Sequence, residues 1–157
     1  MPTLLLIRHG ENEFVKQGRL PGRLPGIHLN EHGMEQAAAL AESLKSLPIR
    51  AIYASPLERA VETATPLAQA LSLEIQLRPA LLDTHVGEWE GQLVKKLHKL
   101  PLWQQVQQHP SDTRFPGGES FLELQERLVK SAQVAAKAVT QRMGLREVLT
   151  SSTANSL

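Results

Sequence analysis

Apolar positions along this chain alternate between short runs and longer stripes at helical spacing. Leu4-Leu5-Leu6-Ile7 is a continuous apolar run that breaks at Arg8-His9-Gly10, which predicts a strand buried on both faces. Ile49 to Ala54 reads as a second strand and Glu74 to Leu77 as a third. Stripes fill the gaps. Asn30 is the expected N-cap of a helix on which Met34, Ala37, Ala38, Ala41, Leu44 and Leu47 share a face before Pro48 stops it. After the second strand, Ser55 at N-cap, Pro56 at the first helical position and Glu58 at the third form a capping box. That helix continues through Ala60, Ala64, Leu67, Ala68 and Leu71, with a kink expected at Pro66. The longest stripe, Phe121, Leu124, Leu128, Val129, Ala132, Ala135, Ala136 and Val139, lies on a helix expected from Ser120 to about Met143, closed by Gly144. This alternation predicts an α/β fold, a three-layer sandwich with helices on both faces of a mostly parallel sheet.

Two stretches escape the pattern. Glu11 to Leu29 reads as loop, with Pro21-Gly22 and Pro25-Gly26 as turn chemistry. Gly91 to Phe115 is polar and helix-prone, and its tryptophan, like Trp89 just before it, is expected to pack in a core or lid rather than stack on bases.

Composition narrows the functions. A chain of 157 residues, 41% hydrophobic and 21% charged, is expected to form one domain with a real core. A net charge of +1 is not the basic footprint of a nucleic-acid binder. The absence of cysteine excludes disulfides and thiolate metal sites. No basic segment leading into an apolar stretch opens the chain, and no apolar run approaches bilayer-spanning length, so a cytoplasmic location without a membrane partner is expected.

Chemistry concentrates at the first strand's end. Open α/β sheets place ligands at the carboxyl ends of their strands. Arg8 supplies a planar fork suited to phosphate or carboxylate, and the imidazole of His9 titrates near neutrality, so it serves as nucleophile, base or acid. Arg59 stands in the first turn of its helix, where a lone cation is disfavoured, so it needs an anionic partner. A bound phosphate would supply one; Glu62, one turn on, is the alternative. Asn12, Arg19 and Arg23 are candidates for the rim of an anion pocket, the two arginines equally readable as solvated loop residues.

Leu6-Ile7-Arg8-His9-Gly10-Glu11, followed by Tyr53-Ala54-Ser55-Pro56-Leu57-Glu58-Arg59-Ala60-Val61-Glu62-Thr63-Ala64, resembles the histidine phosphatase superfamily, also called phosphoglycerate mutase-like. Gly87-Glu88-Trp89-Glu90-Gly91 and Pro116-Gly117-Gly118-Glu119-Ser120 resemble two further family segments. The resemblance implies that His9 is a nucleophile that becomes phosphorylated and that Arg8 and Arg59 bind the phosphoryl group. It implies a proton donor at Asp83, where relatives usually carry glutamate; His85, Glu88 and Glu90 are the alternatives. Arg127 matches a position often basic in relatives, with a surface arginine as the plainer reading.

The resemblance breaks at the end. Laid over the family's Ser-His-Ala, Ser152-Thr153-Ala154 puts Thr153 where a second histidine belongs, and the last strand and helix have no counterpart. Residues 1–157 are therefore expected to form one domain incomplete at its C-terminus, its exposed edge open to homo-oligomerisation. The leading expectation is a phosphomonoester hydrolase acting on a small phosphorylated substrate without metal or cofactor. The alternatives are a phosphomutase and a non-catalytic or truncated relative that binds a phosphorylated ligand.

Overall fold

The computed structural model describes residues 3–141 and 146–151. In chain order they form β1 (Leu4–Arg8), α1 (Glu13–Lys16), α2 (Glu31–Leu44), β2 (Ile49–Ala54), α3 (Glu58–Leu71), β3 (Ile75–Leu77), α4 (Val94–Leu97), α5 (Pro101–Gln108), α6 (Phe121–Gln141) and β4 (Arg146–Ser151). Short 3₁₀ turns at Pro79–Leu81, Gly87–Trp89 and Pro110–Asp112 shape the connections. The strands pair in the order β1-β4-β2-β3, all parallel, with Arg8 level with Ser151 and Ile52 level with Val148.

Side-chain alternation along the strands divides the core. Leu5, Ile7, Ile52 and Ala54 pack with Ala41 of α2 and Ala64 and Leu67 of α3. Leu4, Ala51 and Tyr53 point the other way, against Ala135 and Val139 of α6. A third cluster lies outside the sheet: Trp89 stacks on Trp103 at 5.7 Å, with Phe115 edge-on to Trp89 at 5.4 Å. Both tryptophans are buried there as packing residues.

Several local expectations give way to tertiary context. Leu6 is 70% exposed, so β1 is not buried on both faces. Among the described residues β1 pairs only with β4, and α6 covers that face at Leu4. Met34 and Val129 are exposed rather than core. Ser55 does not cap α3: that helix starts at Glu58 behind Leu57, and Ser55 instead accepts a weak bond from the Leu57 N–H within the preceding turn. Glu58 is drawn outward to accept from the Gly26 N–H. The expected loop after His9 contains α1, capped by Asn12 Oδ1 on the Val15 N–H. Ser120 and Glu123 form a reciprocal capping box that starts α6. Gly144 and Thr153 lie outside the described residues. No described helix is long and apolar enough to cross a membrane.

Candidate active site

β1 delivers Arg8 and His9 to the carboxyl edge of the sheet, where an open cleft of about 260 Å³ is lined by Arg8, His9, Gly10, Glu11, Val15 and Gln36. Gly10 is required by a close approach: a Cβ there would lie 2.6 Å from the Gly33 carbonyl of α2. Its N–H donates to Thr63 Oγ1, and that hydroxyl donates to the Arg59 carbonyl, which ties the strand end to α3.

His9 is buried, and its Nδ1 bonds the Gly10 carbonyl at 2.7 Å. Only a protonated Nδ1 donates to a carbonyl, so in the neutral ring Nε2 carries the lone pair. Nε2 has no hydrogen-bond partner. The His9 pKa is lowered to about 4, first by burial and then by the charges of Arg59 and Arg8, against the opposing Gly10 bond. His9 is therefore a free base at neutral pH.

Arg59 is fully buried. Its Nη2 donates to the Gly22 carbonyl at 2.7 Å and pairs with Asp83 Oδ2 at 3.1 Å. Nε and Nη1 have no partner. Burial pushes its pKa down and the Asp83 charge pushes it back up. The alternative partner, Glu62, is engaged elsewhere, by His28 and the Leu29 N–H. Asp83 is also buried, with Oδ1 accepting from the Thr84 N–H. Its pKa rises to about 6 because burial outweighs the opposing pull of Arg59.

Arg59 pairs with Asp83 and is close enough to His9 to depress its pKa, but it is not among the residues that line the cleft. Arg8 is exposed and lines the cleft. Asn12, expected on a rim, is fully buried with Nδ2 unpartnered and is not among the residues that line the cleft. Arg19 donates to the Gly91 carbonyl, and Arg23 to the Asp83 carbonyl and Glu119. Both tie loops together, and neither is among the residues that line the cleft. Arg127, read as a surface residue, is bound into the Asp83 loop, a role that helical periodicity cannot signal because its acceptors are distant carbonyls. Among the described residues no group of three or more His, Asp or Glu gathers as metal ligands.

The neutral imidazole of His9 lines the strand-edge cleft, Asp83 lines a separate small cavity with Gly22, Thr84 and Phe115, and Arg59, with its unused donors, pairs with Asp83 and lines neither. The chain belongs to the histidine phosphatase superfamily (branch 1), whose profile matches residues 4–150. It is 35% identical over 130 residues to phosphoserine phosphatase 1 of Hydrogenobacter thermophilus, covering 82% of this chain and 61% of that protein. It is 35% identical over 140 residues to the metal-independent phosphoserine phosphatase of Arabidopsis thaliana, covering 85% and 58%. YhfR of Bacillus stearothermophilus superposes with a TM-score of 0.85 at 27% identity, over 96% of this chain and 74% of that structure. The chain spans about three fifths of the length of these two curated relatives.

Proposed function

We propose that this chain carries the catalytic machinery of a phosphomonoester hydrolase that works through a phosphohistidine at His9. One observation carries the reading: His9 Nε2 and Arg59 Nε and Nη1 are buried polar atoms without partners. Leaving such atoms unsatisfied costs roughly 1–3 kcal/mol each, so a retained set calls for a ligand that satisfies it. A tetrahedral oxyanion does so. It accepts from the two arginine nitrogens and offers its phosphorus to the imidazole lone pair.

The steps follow from the protonation states. Nε2 of neutral His9 attacks phosphorus in line while Nδ1–H stays on the Gly10 carbonyl, which fixes the ring. The N–P bond forms as the ester P–O bond breaks. Arg59 and Arg8 neutralise the phosphoryl oxygens and hold them in place. Protonated Asp83 gives its proton to the departing alkoxide. A water then attacks the phosphohistidine, Asp83 takes the water's proton, inorganic phosphate leaves and Nε2 regains its lone pair. The substrate is a small alkyl phosphomonoester, and phosphoserine, named in two of the relatives, is the first compound to test.

Brief mixing with phosphoserine, acid-free quenching and mass spectrometry should show one added phosphoryl group on the His9 peptide and none in His9→Ala. Full turnover by His9→Ala would end the reading. A stable adduct released only to a second alcohol would replace hydrolysis by phosphoryl transfer.

A further inference from the structure

Asp83 sits in residues 82–86, which have no regular secondary structure, so something else must hold it in place. Arg127 of α6 spends its five N–H groups on this task. Nη1 donates to the carbonyls of Ala80 at 2.8 Å and Leu82 at 2.7 Å. Nη2 donates to the Asp83 carbonyl at 3.0 Å and to Glu119 Oε1 at 2.7 Å, and Nε to Glu119 Oε2 at 3.0 Å. Glu119 Oε1 also accepts from the His85 N–H at 2.9 Å and from Arg23 Nη2 at 3.2 Å. Arg23 Nε adds a second guanidinium donor on the Asp83 carbonyl, at 2.8 Å.

The grip is on the main chain either side of the carboxyl. The carboxyl itself is bonded by Arg59 and the Thr84 N–H and by neither clamp residue. The backbone of the 116–118 turn closes on the same loop: the Glu119 N–H donates to the His85 carbonyl at 2.9 Å, and a Cβ on Gly118 would lie 2.1 Å from that carbonyl oxygen.

We propose that Arg127 and Glu119 are positioning residues that hold the Asp83 carboxyl where it can exchange a proton with the leaving group, an assignment that rests on Asp83 as the proton donor. A point-charge ammonium cannot replace the fork: lysine keeps the charge but has three donors and no planar array. A misplacement of about 1 Å costs on the order of a hundredfold in a positioned reaction.

The test compares Arg127→Lys with wild type on two substrates, an alkyl phosphate and p-nitrophenyl phosphate, whose phenolate leaves without a proton. Arg127→Lys should lose about a hundredfold in kcat/KM, which reports the phosphorylation step alone, on the alkyl ester and stay within about threefold on the aryl ester, matching the pattern of Asp83→Asn. A second readout needs no turnover. The chain has two aspartates, Asp83 and Asp112, so ¹³C-aspartate labelling gives two carboxyl resonances. In Arg127→Lys the Asp83 midpoint should fall from about 6 towards the ordinary aspartate value of about 3.9 as the carboxyl is released to water. Equal losses on both esters, or an Asp83 midpoint unchanged in a folded Arg127→Lys, would overturn the proposal. If wild type forms no phosphohistidine, the hydrolase reading fails and the titration still decides the clamp.

Discussion

Arg59 Nη2 and Asp83 Oδ2 lie 3.1 Å apart with their side chains almost wholly shielded from solvent. Such a pair would ordinarily hold the aspartate well below neutrality, yet its pKa stands at about 6 because loss of hydration outweighs the arginine's attraction. The same guanidinium lowers His9 towards the neutral form that attack needs, while it pulls Asp83 towards the carboxylate against the stronger effect of burial.

Arg59→Lys keeps a positive charge and removes the unpartnered fork. We expect kcat/KM for phosphoserine to fall about 10²- to 10³-fold, as for loss of one preorganised donor. Inhibition by inorganic phosphate should weaken in parallel. A kcat/KM unchanged from wild type in steady-state assays would contradict the assignment of Arg59 to the phosphoryl group.

The pH–rate profile should be bell-shaped and acidic. Nucleophilic attack needs neutral His9 and leaving-group departure needs protonated Asp83, so kcat/KM should rise through about pH 4 and fall through about pH 6. Asp83→Asn should be slower and should lack the alkaline fall. Measuring both forms on one alkyl phosphate over that range checks the assignment.

Stability should carry the mark of His9 with a definite sign. Its folded value is about 4 against 6.5 for the free side chain, so between these values the unfolded chain binds more protons and the fold weakens as pH drops. Asp83 acts oppositely, since its folded carboxyl titrates at about 6 against 3.8; its contribution is complete below the lower value and lost as pH rises through the upper. Urea unfolding of His9→Gln and wild type should therefore diverge in favour of the variant as pH falls from 6.5 to 4, by at most about 3 kcal/mol. A constant difference would show that His9 is not desolvated.

Gly118→Ala tests the turn that closes on the Asp83 loop. The added methyl would meet the His85 carbonyl oxygen at 2.1 Å and the Gly87 nitrogen at 3.0 Å, both backbone atoms that yield only by moving the loop. We expect a loss of about 1–3 kcal/mol in urea unfolding. Wild-type stability would mean that the two segments separate freely.

The periodicity of apolar residues was enough to place the sheet and its main helices, because α2, α3 and α6 each carry an apolar stripe at helical spacing and β2 is a short apolar run buried on both faces. Arg8, His9 and Arg59 stood out as candidates for a different reason, since their types carry chemistry that few other side chains supply, whereas Asp83 was singled out only through the resemblance to the family. Tertiary structure alone decided the rest. Leu6 reads as core and is exposed, since burial depends on what lies across a face, and only α6 at the level of Leu4 answers that. Ser55 has the composition of a cap but lies at the end of a buried strand, where the turn geometry hands the helix start to Leu57. Arg127 looks like any helix-surface arginine in a list of residues, yet its acceptors are carbonyls 44 to 47 positions earlier, brought within reach only by packing α6 beside the Asp83 loop. Local sequence determines which backbone each segment prefers and which groups are available. Desolvation and charge–charge distance, which set the pKa values of His9 and Asp83, exist only once distant segments have met.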